Sequence, residues 1–79
     1  MYLITFHTNF DANAFSRKVK TMGTARMKPV PRQLSSSCGT CVVFDPADAD
    51  FLPEALADMA FEKFYKVSGS EYELLYEKE

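Results

Sequence analysis

The sequence predicts a small α+β domain, a ferredoxin-like split βαβ sandwich with the element order β-α-β-β-α-β. Three observations predict it. An apolar, β-branched run opens the chain at Tyr2-Leu3-Ile4-Thr5-Phe6. Two stretches with helical spacing come next, over residues 10–22 and 51–59. Short strand-like segments lie between and after them. Both crossovers are long enough for a helix, so two helices are expected on one face of an antiparallel or mixed sheet. An extra C-terminal strand is compatible with this order, and a mixed sheet with a different strand order and a C-terminal hairpin is the alternative.

The opening run is apolar on both faces of its pleat, which marks a strand buried from both sides and central in its sheet. Phe10, Ala14, Phe15, Val19 and Met22 then fall at helical spacing. Thr8, Asn9 and Asp11 are N-cap candidates, and Gly23 suits a C-terminal stop. Ala25 to Val30 reads as a strand that ends at Pro29 or Val30. Pro29 and Pro31 cannot donate to a ladder, so they belong at a sheet edge or at a strand exit.

A serine-rich loop, Pro31 to Ser37, leads into a strand over Gly39 to Phe44 that closes at Asp45-Pro46. Phe51, Leu52, Ala55, Leu56 and Met59 mark the second helix, with Pro53 in its first turn. Phe64 to Val67 is a strand, Ser68-Gly69-Ser70 a turn, and Tyr72 to Tyr76 a final strand or extended tail.

With 79 residues and 47% apolar composition, the whole chain, residues 1–79, is one domain with one modest core. A deep substrate cavity with a lid does not fit in that length. The net charge of −2 carries no concentrated basic face, so nucleic acid is not the expected partner. Lys18, Lys20, Arg26, Lys28 and Arg32 make the first half mildly basic. Acids gather at Asp45 to Asp58 and at Glu71 to Glu79. Both read as solvated faces. No segment approaches the run of about 20 apolar residues that spans a bilayer, and Met1 to Phe6 has no leader pattern. A cytoplasmic protein without membrane association is expected, in which a close cysteine pair stays reduced.

The distinctive chemistry lies in Cys38-Gly39-Thr40-Cys41. Two thiols three positions apart can close a disulfide or share one metal ion. The segment runs into Val42-Val43-Phe44, which is strand-like, so the helix dipole that activates a thioredoxin-type cysteine is missing. Only Cys38, Cys41 and His7 are soft ligands, too few for a closed zinc site. No metal and no cofactor are expected. A ferredoxin-like copper chaperone carries its cysteines after the first strand, where this chain has His7-Thr8-Asn9.

Cys38 is the better candidate for a reactive thiol. Strand alternation turns Cys41 to the opposite face, where it is either a core residue or a resolving thiol. Arg32 is expected to fold back over the site. Ser35, Ser36, Ser37 and the amides near Gly39 are candidate donors to an anionic sulfur. His7, at the end of the first strand, is a candidate base or donor. The aromatic residues Phe61, Phe64, Tyr65, Tyr72 and Tyr76 lack interleaved cations and read as core.

Three segments, Tyr2-Leu3-Ile4-Thr5-Phe6-His7-Thr8, Pro29-Val30-Pro31-Arg32 and Leu34-Ser35-Ser36-Ser37-Cys38-Gly39, together make the chain resemble the selenium/sulfur carrier protein-like family of small bacterial proteins. The resemblance implies a carrier without turnover of its own, holding reactive sulfur or selenium on Cys38 with Arg32, Ser35 and Ser36 around it. It also implies two partners, a cysteine desulfurase-like donor and an acceptor enzyme. Cys41 departs from the pattern expected of that family. It leaves open a dithiol/disulfide module using Cys38 and Cys41, and an interaction domain with inert thiols. An exposed edge strand is a candidate surface for a homodimer.

Overall fold

In the computed structural model, which describes residues 1–78, the opening apolar run forms β1 (Tyr2–Thr5). It is covered from both sides: Leu3 is 2% exposed and Ile4 is fully buried. Glu79, the last of the acidic run, lies outside the described residues. The other strands are β2 (Gly23–Pro29), β3 (Thr40–Pro46), β4 (Lys63–Ser68) and β5 (Glu71–Glu77). They form one five-stranded sheet in the order β2-β3-β1-β4-β5, antiparallel throughout. Leu3 stands opposite Val43 on one side and Tyr65 on the other. β1 therefore holds the centre that its two-sided apolar pattern requires.

The helix α1 (Asn9–Val19) carries the chain from β1 over β3 to the edge strand β2. Thr8 is its cap, and its hydroxyl accepts the Asp11 N–H at 3.1 Å. The buried stripe is Ala12, Phe15, Ser16 and Val19, an i, i+3, i+4, i+7 set. Of the positions expected on the buried stripe, Phe15 and Val19 lie on it, but Phe10 and Ala14 are exposed. Phe10 sits in the first turn on the solvent side and is 79% exposed.

Gly23 is not the helix stop either. The helix ends with Lys20 still in a right-handed conformation. Gly23 instead opens β2, where the backbone of Asp45 to Ala47 fills the space that a Cβ would need. Pro29 ends the edge strand, as its missing N–H demands.

The second helix is a correction. Between β3 and β4 the chain makes only a single 3₁₀ turn, Pro53–Leu56, so the order is β-α-β-β-β-β with one helix on the sheet. The fold is α+β, and the last strand expected as optional is formed. Three causes oppose the helix. Asp48 turns its carboxylate onto the Asp50 N–H at 2.9 Å, which makes a local turn rather than a helix cap. The 3₁₀ turn has no side-chain cap and no basic residue in its last turn. The apolar positions that reach the core are Phe51, Leu56 and Met59, while Leu52 and Ala55 face solvent. Phe51 and Leu56 would point about 140° apart on an α-helix. An irregular path lets both reach the core.

That core has two parts. Beneath α1, Ile4, Phe6, Val42, Phe44 and Phe64 pack against Ala12, Phe15, Val19, Leu56 and Phe61. On the opposite face, Leu3, Cys41 and Tyr65 lie under Val30, Leu34, Val67 and Tyr72. Phe64 joins the helix side together. Its ring centroid lies 5.6 Å from Tyr2, 6.3 Å from Phe15, 5.5 Å from Phe61 and 5.9 Å from Tyr76. No helix among the described residues is long and apolar enough to cross a membrane. Urea unfolding is expected to show a loss of about 3–5 kcal/mol for Phe64→Ala. The exposed Phe10→Ala should stay within about 0.5 kcal/mol of the parent.

Candidate thiol site

The loop between β2 and β3 is built from its own sequence. The Val30 N–H donates to the Gly39 carbonyl at 3.1 Å and closes its base. Pro31 begins a turn closed by the Leu34 N–H on the Pro31 carbonyl at 3.0 Å. Val30 and Leu34 then cover the open face of the sheet, over Leu3, Cys41 and Tyr65. Past Leu34 the serines turn the chain to the end of β1, where the Ser36 hydroxyl donates to the Phe6 carbonyl at 3.0 Å. Gly39 has φ +73° with nothing near its missing Cβ, so its requirement is conformational rather than one of space. It turns the chain into β3 just after Cys38.

Both cysteines are free thiols in different surroundings. Cys38 is half-buried and packs against the helix-side core, and its S–H donates to the Thr40 carbonyl at 3.4 Å. Cys41 is fully buried on the other face, with its S–H towards the Pro29 carbonyl at 3.8 Å. Burial pushes the Cys41 thiol up from its ordinary value. The nearby Lys28 ammonium opposes this, and negative charge on Cys38 would add to it. Cys41 is covered on every side, whereas Cys38 keeps part of its surface open.

The residue that organises the site is Glu62, which the sequence reading does not single out. Its side chain is 16% exposed. The Ser37 hydroxyl donates to Oε2 at 2.9 Å, and the Ser37 N–H and the Thr5 hydroxyl donate to Oε1 at 3.3 and 3.4 Å. His7 Nδ1 stands 3.7 Å from Oε2. The Glu62 backbone is fixed as well, its N–H on the Thr5 carbonyl at 2.7 Å and its carbonyl accepting the Lys78 N–H at 2.8 Å. Burial pushes the Glu62 carboxyl up. The Ser37 hydroxyl and amide, His7 and the Ser36 hydroxyl together outweigh that and hold it below the usual carboxylate range.

A signal for Glu62 existed. It is the acid that directly precedes the strand pairing with the end of β1, beside His7. Finding it needed the strand order, which no periodicity displays.

The structure thus gathers His7, Ser36 and Ser37 around one carboxylate, immediately before Cys38. Arg32 and Ser35 are exposed, and neither makes a side-chain hydrogen bond or ion pair among the described residues. No group of three or more His, Cys, Asp or Glu is placed to hold a metal ion among them.

A family model described as "Putative Se/S carrier protein-like" matches residues 1–68. The chain belongs to this family. No curated protein and no solved structure matches it. The region shared with the Se/S carrier-like family runs from β1 to the last residue of β4 and takes in the thiol loop and Glu62. Only the edge strand β5 and the residues around it lie beyond.

In native protein of this Se/S carrier-like member, iodoacetamide should label Cys38 well before Cys41. Cys41 should react only as fast as the fold opens, as read by peptide mass mapping. Glu62 is more acidic in the folded than in the unfolded chain. Its contribution is therefore full above the ordinary glutamate value of about 4.3 and is lost as pH falls through the lower folded value. Glu62→Gln should cost about 1–2 kcal/mol at neutral pH, and less in the acid range, as measured by urea unfolding at each pH.

Proposed function

We propose that this protein carries sulfur or selenium on Cys38. It would accept the atom from a cysteine desulfurase-like donor and pass it to an acceptor enzyme. The observation that carries the reading is the asymmetry of the two thiols: Cys38 is only half-buried at the rim of the sheet, while Cys41 is sealed in the core. Membership of the Se/S carrier-like family supports it.

The transfer is a thiol–persulfide exchange. The Cys38 thiolate attacks the terminal sulfur of the donor's persulfide. A new S–S bond forms at Cys38, the donor's S–S bond breaks, and the donor thiolate leaves with the electron pair. No net oxidant is consumed, because the transferred sulfur keeps its oxidation level. Delivery is the same exchange with an acceptor thiolate, and a terminal selenium takes the same course. The Ser36 and Ser37 hydroxyls are engaged by the Phe6 carbonyl and Glu62, so the group left for a loaded, anionic Cys38 is Arg32, close in sequence and without an ion pair among the described residues.

The remaining assignments support the same picture. Two free thiols suit a reducing compartment, so we assign the protein to the cytoplasm. α1 passes from β1 across β3 to β2, which supports a ferredoxin-like arrangement with the second helix reduced to a turn and β5 added at one edge. β2 and β5 leave two open edges on which a second copy or an enzyme strand can pair. A dithiol switch is less well supported, since Cys38 and Cys41 pack on opposite faces of the sheet and a bond between them requires backbone movement.

The test is loading by a cysteine desulfurase supplied with radiolabelled cysteine. The parent and Cys41→Ala should take up reductant-labile label, and Cys38→Ala should take up none. Equal labelling of Cys38→Ala would remove the proposal.

A further inference from the structure

The thiol loop is fastened at one point just before its reactive residue. Ser37, the neighbour of Cys38, gives both its amide and its hydroxyl to Glu62, and Ser36 holds the Phe6 carbonyl. Beyond Cys38, among the described residues, the loop is tied by the Val30–Gly39 bond and by the weak Cys38 S–H bond to the Thr40 carbonyl before β3 begins. Arg32 and Ser35, on the near side, are exposed. The position of Cys38 against the helix-side core therefore depends on the Ser36–Ser37 attachment.

The carboxylate is committed to this task. The other cations near it are engaged elsewhere. Lys63 Nζ pairs with Glu77 at 3.9 Å, and Lys78 Nζ donates to the Met59 carbonyl at 2.6 Å while lying 4.2 Å from the centre of the Phe61 ring. His7 is the one basic side chain within 4 Å of the Glu62 carboxylate among the described residues. Thr5, from the central strand, and Ser37, from the loop, supply the rest. A carboxylate with three donors and one flanking histidine is a stronger attachment than any neutral hydrogen bond in the loop.

We infer that Glu62 is a positioning residue for Cys38, a clasp that acts through Ser37 to hold the thiol half-covered and that opens locally, without unfolding, to present it. In the closed state the core and the loop shield one side of the sulfur. In the open state residues 35–38 leave the end of β1 and the sulfur becomes fully accessible. The use of this clasp, shielding a loaded sulfur until a partner engages it, rests on the carrier reading. The control of access does not.

The experiment separates the two. Alkylation of Cys38 and Cys41 is monitored by peptide mass mapping in the parent, Glu62→Ala, Glu62→Gln and Ser37→Ala, with no sulfur donor present. A local clasp predicts about a tenfold faster Cys38 reaction in Glu62→Ala, a smaller gain in Ser37→Ala, and an unchanged Cys41 rate in both. Glu62→Gln should fall between parent and alanine, because the amide still accepts from the Ser37 N–H. A purely structural role predicts that both thiols speed up together, and that result would overturn the inference, as would a Cys38 rate that no variant changes. Failure of desulfurase loading with a working clasp would discard only the carrier role.

Discussion

Glu62 joins three parts of the chain that are far apart in sequence. Its backbone continues the pairing of β1 with β4, its carboxylate takes the Thr5 hydroxyl at the end of β1, and the same carboxylate receives Ser37 from the loop. A charge this covered is stable only with its oxygens satisfied, and three donors with a flanking histidine satisfy them. The consequence runs in one direction. Because the carboxylate must be satisfied, the loop must come to it, and because the loop comes to it, Cys38 lies at the rim of the sheet.

The sheet explains why the two thiols differ although only two residues separate them. Cys41 is in regular strand, so alternation fixes it on the face opposite Val42 and Phe44, under Val30 and Leu34. Cys38 precedes the strand, across a left-handed glycine, and is free of that alternation. A C-x-x-C in a helix or a tight turn presents both sulfurs to one site. Here the strand beginning at Thr40 splits them, leaving one thiol half-buried beside the loop and one sealed in the core.

Much of this is legible in the residues. The central place of β1 comes from Tyr2 to Phe6 being apolar on both faces, the end of β2 from Pro29, and the turn between β4 and β5 from Gly69, which adopts φ +60°. The burial of Cys41 in the core comes from strand alternation. The second helix is a false signal because Phe51, Leu52, Ala55, Leu56 and Met59 imitate helical spacing, while burial selects Phe51, Leu56 and Met59, which would spread over about 140° of a helix, and leaves Leu52 and Ala55 exposed. Phe10 misleads for a related reason: its apolar character says nothing of helix phase, which Ala12, Phe15, Ser16 and Val19 set by packing. Glu62 cannot be singled out by periodicity or spacing, because its importance is tertiary. Its partners lie at Thr5, His7 and Ser37, and only the strand order brings them to it.

The central claim is that one sulfur, at the end of a loop held by a carboxylate, is the place where a transferable chalcogen resides. Intact-mass measurement after brief exposure of reduced protein to polysulfide tests it most directly, since the exchange needs no partner enzyme. The account predicts a gain of one sulfur atom, reversed by dithiothreitol, in the parent and in Cys41→Ala, and none in Cys38→Ala. A gain that survives in Cys38→Ala, or that maps to Cys41 in folded protein, would contradict it.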